Sequence, residues 1–374
     1  MRFTNASYND FIKNKGNRPI IMFGASSAWH YFLKVFPHII EDVVDNSLCV
    51  VDNSVEKQGE SFNISGREFI VKNADAMKEV NGEYIILITV SLAYHESICE
   101  QLIHMDLPDS VECYSLPLMT YSMQQSNNDC VDRFFQMNAQ PVNVPKIHSF
   151  WFSGEEKPEL YKRCLDSWYK YCPEFEIIEW NTSNYDVTKN QYMKEAFENR
   201  KWAFVSDYAR LDVIYQYGGI YLDMDVELVD SLTKLLNAES FFCRQEDGLL
   251  ELGSGFGAKA GDHFIKDMLD TYTNRKLILD DGRIDMTPQP EWLSNIMGKY
   301  GFYKCHDSQI IGNRLVLSND YITCSTGSGS TDKAKLGIHW HNGGWMNEKD
   351  RKLIRDSFAA KDAVIKKYFS KCED

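Results

Sequence analysis

The chain has 374 residues and a formal net charge of −14, from 40 basic and 54 acidic side chains. Apolar residues make up 44% and charged residues 25%, a globular composition that excludes a chain disordered throughout. The acidic balance excludes a general nucleic-acid binder, which gains affinity by displacing counterions with lysine and arginine.

At roughly 150 residues per domain, the length predicts about two or three domains. Ten cysteines with no C-x-x-C pair support neither a disulfide scaffold nor a structural zinc site. The polar start, residues 1–19, has no signal-peptide core, and the strongest apolar run, 84–90, is far short of the roughly 18 residues a membrane helix needs. A soluble protein of a reducing compartment, the cytoplasm, is expected.

In chain order, an apolar run at 19–23 predicts a strand closed by Gly24. Residues 25–40 have helical spacing, with Trp29, Phe32, Leu33 and Phe36 apolar. Strands follow at 48–52, 68–71 and 84–90, then a helix at 98–105 and a strand at 111–116. Strands alternating with helices imply parallel βαβ units, so residues 1–125 read as a Rossmann-like accessory domain. Of a dinucleotide fingerprint only Gly24 is present; Ser26 and Trp29 replace the other glycines, and Asp52 stands where a ribose partner would sit. A structural or docking domain is the reading these residues favour over cofactor binding.

Residues 126–144 read as a polar linker, and a second α/β block covers 145–374. Its strands are expected at 146–152, 175–180 and 220–222, with helices at 201–217 and 262–272. Gly218-Gly219 stops the first of these helices. The tail, 348–370, reads as a terminal helix. Between Lys349 and Lys371 it holds eight Lys or Arg and three Asp, with Leu353, Ile354, Phe358, Val364, Ile365, Tyr368 and Phe369 at helical spacing. A basic amphipathic helix suits either a peripheral contact with an anionic membrane, at the inner face, or docking on the catalytic domain.

The chemistry centres on Asp223-Met-Asp225, the sole D-x-D in the chain. Two carboxylates two residues apart after a short strand can converge on one hard cation. Upstream, Asp207 and Arg210 lie three apart on one face of the predicted helix. A surface ion pair would explain that spacing. The helix, however, ends at Gly218-Gly219, and the chain leads straight into Tyr221-Leu-Asp-Met-Asp225. A guanidinium beside a cation-binding turn suits a nucleotide diphosphate, because arginine pairs with phosphate in a bidentate way.

The run from Ser206 to Asp225 resembles the DxD-motif sugar-transferase family. That family includes capsular polysaccharide and lipopolysaccharide glycosyltransferases, fungal initiating α-mannosyltransferases and, more distantly, the large clostridial glucosylating toxins. Pro145-Lys-Ile-His-Ser-Phe-Trp-Phe-Ser-Gly154 is similar to its opening strand, and Ile338-His-Trp-His-Asn-Gly-Gly-Trp345 to its closing segment. Gly344 stands where serine is usual there, and the histidines are separated as His339 and His341.

The resemblance implies a GT-A fold and a retaining, metal-dependent transferase. It implies a nucleotide-sugar donor (a UDP-hexose or UDP-N-acetylhexosamine, with GDP-mannose as competitor), a surface-polysaccharide or lipid-linked glycan acceptor, and Mn²⁺, with Mg²⁺ as the alternative. Carried over by position, Trp151 stacks on the donor base, Asp207 holds donor hydroxyls with Ser206 nearby in the donor site, and Arg210 contacts the sugar or diphosphate. Asp223 holds ribose and sugar hydroxyls, Asp225 ligates the metal, Tyr221 lines the nucleotide pocket and Trp345 reaches the diphosphate. His339 or His341 supplies a further metal ligand, since imidazole suits Mn²⁺ better than Mg²⁺.

Two rivals stand beside this reading: a nucleotidyltransferase acting on sugar phosphates, and a glycan-binding or scaffold protein with a decayed site. Minor candidates for sugar contacts are Glu246-Asp247, His306 and Gln309. Gly253-Ser-Gly-Phe-Gly257 serves either close approach to the donor or a strand crossing.

Overall fold

The computed structural model describes residues 1–6, 8–26, 29, 43–120, 126–245, 248–285, 287–324, 334–341 and 363–369. The chain divides into two compact α/β units, Met1–Gln124 with Lys349–Asp374, and Gln125–Glu348.

In the first unit, strands β1 (Arg2–Phe3), β2 (Ile20–Phe23), β3 (Ser47–Val51), β4 (Ser61–Ile64), β5 (Arg67–Lys72), β6 (Ile85–Ile88) and β7 (Glu112–Ser115) form one sheet. Its order is β1-β7-β6-β2-β3-β5-β4. Every pairing is parallel except the β4–β5 hairpin. β2 and β6 are buried at every residue, which is why they read as unbroken apolar runs with no solvent face. The hairpin turns on Ser65 and Gly66, both at positive φ (51° and 84°), as a two-residue turn between right-twisted strands demands. Of the expected helix at 25–40, Ala25 and Ser26 are described and are not helical, Trp29 is helical, and the rest lies outside the described residues.

The fingerprint positions of this unit are occupied by packing. A Cβ on Gly24 would lie 2.2 Å from Cγ1 of Val90, so Gly24 permits a close approach of chain to chain. Asp52 accepts the backbone N–H of Ala25 on Oδ2 (2.8 Å) and that of Ser54 on Oδ1 (2.8 Å), and pairs with Lys57 (3.1 Å). It pins the loop after β2 to the end of β3.

In the second unit, the large sheet holds β8 (Lys146–Phe150), β9 (Glu176–Trp180), β10 (Gly219–Tyr221), β12 (Ser240–Cys243), β13 (Phe256–Ala258), β14 (Gln309–Ile311) and β15 (Arg314–Leu317). Its order is β14-β15-β12-β13-β10-β8-β9. A small sheet, β11-β17-β16, is built from β11 (Val226–Leu228), β16 (Ile322–Cys324) and β17 (Gly337–His339). From β8 the chain passes to parallel β9 on one side, then to parallel β10 on the other. Strand order therefore reverses at β8/β10, and the crevice beyond their carboxyl ends is where such sheets bind ligands.

The helix Trp202–Tyr217 feeds β10. It is buried around most of its circumference, including Asp207, Arg210 and Asp212. Gly218 and Gly219 end it at φ 68° and 99°, and a Cβ on Gly219 would stand 2.8 Å from the carbonyl of Lys146. Glycine thus serves both as the helix stop and as the site where β10 closes against β8.

Two domain expectations are corrected. The stretch expected as a linker contains the helix Asp129–Met137, whose Val131 and Phe134 are buried in the second unit's core. The tail belongs with the first unit, not the second: Val364, Ile365 and Phe369 complete the core around β2 and β6, and Phe369 packs edge-on against Phe3. In 363–369 the apolar side of the amphipathic pattern is therefore an internal packing face, and Lys367 pairs with Glu96 and Glu100 (2.9 Å each). Leu353, Ile354 and Phe358 lie outside the described residues. Among the described residues no helix is long and apolar enough to cross a membrane.

Candidate active site at the D-x-D turn

The D-x-D segment is the connection from β10 to β11, between the two sheets of the second unit. Leu222, Met224 and Val226 alternate into one buried apolar cluster. That burial turns Asp223 and Asp225 to the opposite side. The turn is closed by the N–H of Val226 donating to the carbonyl of Asp223 (3.0 Å). It is held from outside by Asp223 N–H to the Gly253 carbonyl (3.1 Å) and Trp340 N–H to the Asp225 carbonyl (3.0 Å).

Antiparallel pairing of β11 with β17 sets His339 opposite Val226. Nε2 of His339 then lies 3.2 Å from Asp225 and 3.9 Å from Asp223. One donor atom from each of Asp223, Asp225 and His339 falls within 4.8 Å of the others. A second cluster of the same tightness, Glu251, His339 and His341, lies on the other edge of the His339 ring. Oxygen donors with imidazole fit Mn²⁺, and the pairing distinguishes the histidines: His339 faces the D-x-D carboxylates, whereas His341 faces Glu251 (2.8 Å).

Behind the turn, Arg210 donates to Asp207 and, through Nε, to the carbonyl of Ser206 (3.2 Å). Its other terminal nitrogen is 3.7 Å from Asp223. The guanidinium stands over the Tyr221 ring, 5.3 Å from its centre. The Tyr221 hydroxyl donates to Asp223. Tyr221 is fully buried, so it orients the first motif aspartate from behind and does not line an open pocket as expected. The Ser206 hydroxyl donates to the Trp202 carbonyl within its helix (3.0 Å). Trp151 follows the carboxyl end of β8, with its indole N–H on the Glu155 carbonyl (2.8 Å) and its ring edge-on to Tyr161.

Among the described residues, Asp207 and Asp223 face the Arg210 guanidinium, while Asp225 and Glu251 face the imidazoles of His339 and His341. Burial pushes Asp207 and Asp223 above the usual carboxylate range, although Arg210 pulls both down. Burial also works against the charge on Arg210, but Asp207, Tyr221 and Asp223 hold it protonated. Burial and His341 lower His339, yet Asp225 and Glu251 outweigh them and raise it to about 9. The cluster thus attracts positive charge, which is what a divalent cation supplies.

Glu251, Ser254 and Gln289 were not singled out in the sequence. Glu251 interrupts the apolar run Leu249-Leu-Glu-Leu252, and that interruption was its available signal. Gln289 donates to the Asp207 carbonyl (2.9 Å) and to the Tyr272 hydroxyl (2.8 Å), which steadies the helix at Asp207. The glycine run divides by role. A Cβ on Gly253 would lie 2.6 Å from Oδ2 of Asp223, while one on Gly257 would meet Phe241 at 2.6 Å across the β12–β13 pair. Gln309 is buried and holds Arg244 (3.1 Å) and the Gly301 carbonyl, so it is structural. Trp345, Glu246 and Asp247 lie outside the described residues.

Residues 158–242, which contain the helix, the glycine pair and both motif aspartates, match the family described as the glycosyltransferase sugar-binding region containing DXD motif. A 143-residue stretch is 27% identical to the mannosyl phosphorylinositol ceramide synthase of Saccharomyces cerevisiae, covering 35% of this chain and 36% of that protein. The chain thus spans little more than a third of that relative's length. Together with the α/β architecture, these likenesses support a glycosyltransferase of the DXD type.

Proposed function

We propose that the second unit transfers a hexosyl or N-acetylhexosaminyl group from a nucleotide-diphosphate sugar to a hydroxyl of a surface-polysaccharide glycan. The favoured donor is a UDP-sugar, with GDP-mannose as competitor. The convergence of Asp223, Asp225 and His339 beside the buried Asp207–Arg210 pair, at the strand-order reversal, carries this reading.

Asp223, Asp225 and His339 would hold Mn²⁺ or Mg²⁺, which when bound neutralises charge on the departing diphosphate. Arg210, fixed by Asp207, presents a guanidinium to the same charge or to the sugar. Asp207 and Asp223 accept from donor hydroxyls, and Trp151, at the carboxyl end of β8, offers a ring to the base. In the transfer, the bond from the anomeric carbon to the diphosphate oxygen breaks with its electron pair on the oxygen. The acceptor oxygen bonds to the carbon on the same face, and its proton passes to the departing phosphate. The yeast relative's name joins mannose to a phosphorylinositol lipid, which supports including a mannosyl donor and lipid-linked acceptors in the assay.

The test is release of nucleoside diphosphate from UDP- and GDP-sugars with Mn²⁺, with and without acceptor. Wild type is expected to release it, chelation to stop it, and Asp225→Ala to lower it by roughly 10²–10³-fold. Pyrophosphate formed from a nucleoside triphosphate would favour the nucleotidyltransferase instead. Glycan binding with neither turnover nor nucleotide binding would favour the scaffold.

A further inference from the structure

Three candidates outside the proposed donor contacts stand out. The buried Arg244 is held by carbonyls of Asp307 (3.0 Å) and Gly248 (2.8 Å) and by Gln309, which accounts for it structurally. The nucleotide-like corner of the first unit is filled by the contacts of Asp52. The third candidate is the polar chain behind His339, and it has a direction that can be read from its donors and acceptors.

Glu251 is partly buried, and its carboxylate meets Nε2 of His341 at 2.8 Å and lies 3.7 Å from Nδ1 of His339. An ionised carboxylate only accepts hydrogen bonds. Ser254, 2.6 Å from Oε2 of Glu251, therefore gives it its single proton. The same serine oxygen is 3.0 Å from Nδ1 of His339. With its proton already directed to Glu251, Ser254 can only accept there, so Nδ1 carries the hydrogen. With Nδ1 protonated, the lone pair that His339 offers to a cation falls on Nε2, the atom facing Asp225 at 3.2 Å. Ser254 is 1% exposed and His339 4%, so water has little access to compete with this order. Glu251 is further fixed by His341 Nε2 at 2.8 Å.

We propose that Glu251 and Ser254 are positioning residues that fix the His339 tautomer so that Nε2 is presented as a nitrogen ligand to the cation held by Asp223 and Asp225. This rests on the cation-binding reading of the D-x-D turn. It extends that reading to a part of the chain, 251–254, that lies outside the 158–242 family match. A carboxylate acting through the far edge of a ligating imidazole raises its basicity and holds its plane, and losing such a partner costs about 10–100-fold in metal affinity.

The experiment uses Mn²⁺ itself as probe on the full chain. Manganese affinity is measured by titration, and nitrogen ligation by the ¹⁴N modulation of the Mn²⁺ electron spin echo. Wild type is expected to bind with imidazole nitrogen coupling, and His339→Ala to lose the coupling. Ser254→Ala and Glu251→Gln are expected to weaken binding about tenfold or more and to diminish the coupling, with unchanged melting temperature. Ser254→Thr, which keeps the hydroxyl, is expected to restore both; this rescue separates hydrogen-bond direction from simple packing. Wild-type affinity and coupling in Ser254→Ala and Glu251→Gln would overturn the positioning role alone. Coupling retained in His339→Ala would overturn it by placing the nitrogen elsewhere. Failure of wild type to bind Mn²⁺ would overturn this role together with the cation reading beneath it.

Discussion

Met224 decides where the two motif carboxylates point, because its own burial beside Leu222 and Val226 turns its neighbours the other way. Gly253 decides how close the next segment comes: its missing Cβ leaves 2.6 Å to the Asp223 carboxylate. Gly253→Ala is therefore expected to displace Asp223 or the segment itself. Manganese affinity and donor hydrolysis should fall by about tenfold or more while the melting temperature changes little. A Gly253→Ala protein with unaltered manganese affinity would show that Asp223 tolerates displacement. At this scale the sequence picked out the acidic, basic and imidazole side chains that the fold brings together, because their residue types declare their chemistry. It did not reveal Tyr221 as an internal support, because an aromatic residue beside a motif looks the same whether it lines a pocket or backs one.

Among elements, the strands that carry the site are tied by histidines that stay neutral. His148 on β8 donates from Nε2 to the Gly218 carbonyl (3.0 Å) and accepts the Trp180 indole N–H on Nδ1 (3.0 Å), which links β8 to β9 and to the helix end. In the first unit, His95 bridges the Ser91 carbonyl (3.1 Å) and the Ser115 hydroxyl (2.7 Å). Burial lowers each to about 4, outweighing the backbone hydrogen bond that raises it and, at His148, the opposing effects of Lys146 and Glu176. The unfolded chain takes up these protons first, near pH 6.5, so stability is fully present above that pH and falls as the pH drops toward 4. Each histidine should contribute about 3 kcal/mol to that loss. Thermal melts from pH 7.5 to 4 should show the decline, and His148→Gln should flatten it. An unchanged slope in that variant would mean His148 is protonated in the fold. The long helix, its glycine stop and the central strands were legible because period and punctuation agree there. The Ser65–Gly66 hairpin and the strands of the small sheet were not, since three- and four-residue strands carry too little pattern.

For the whole molecule, the first unit is completed by residues about 250 positions beyond the end of its own sheet. Val364, Ile365 and Phe369 join the core around β2 and β6, and burial of each contributes about 1.5–3 kcal/mol. Removing residues 363–374 should quicken hydrogen exchange in β1, β6 and β7 and lower the melting temperature. Exchange rates unchanged in those strands would show that the tail adds little to that core. Segment 363–369 was read as membrane-facing or as docked on the catalytic domain. Amphipathic spacing states that a face is buried, but not against what.

The sequence by itself determined the α/β class, the helix that ends at Gly218, and the D-x-D turn with its arginine. Those depend on local periodicity, backbone conformation and side-chain chemistry within about twenty consecutive residues. Only the tertiary structure decided that His339 faces the aspartates while His341 faces Glu251, that Ser254 and Glu251 lie behind them, and that the tail closes the first unit. Those contacts join residues tens to hundreds of positions apart. They are fixed by the antiparallel register of β11 with β17 and by core packing, neither of which leaves a mark in local spacing.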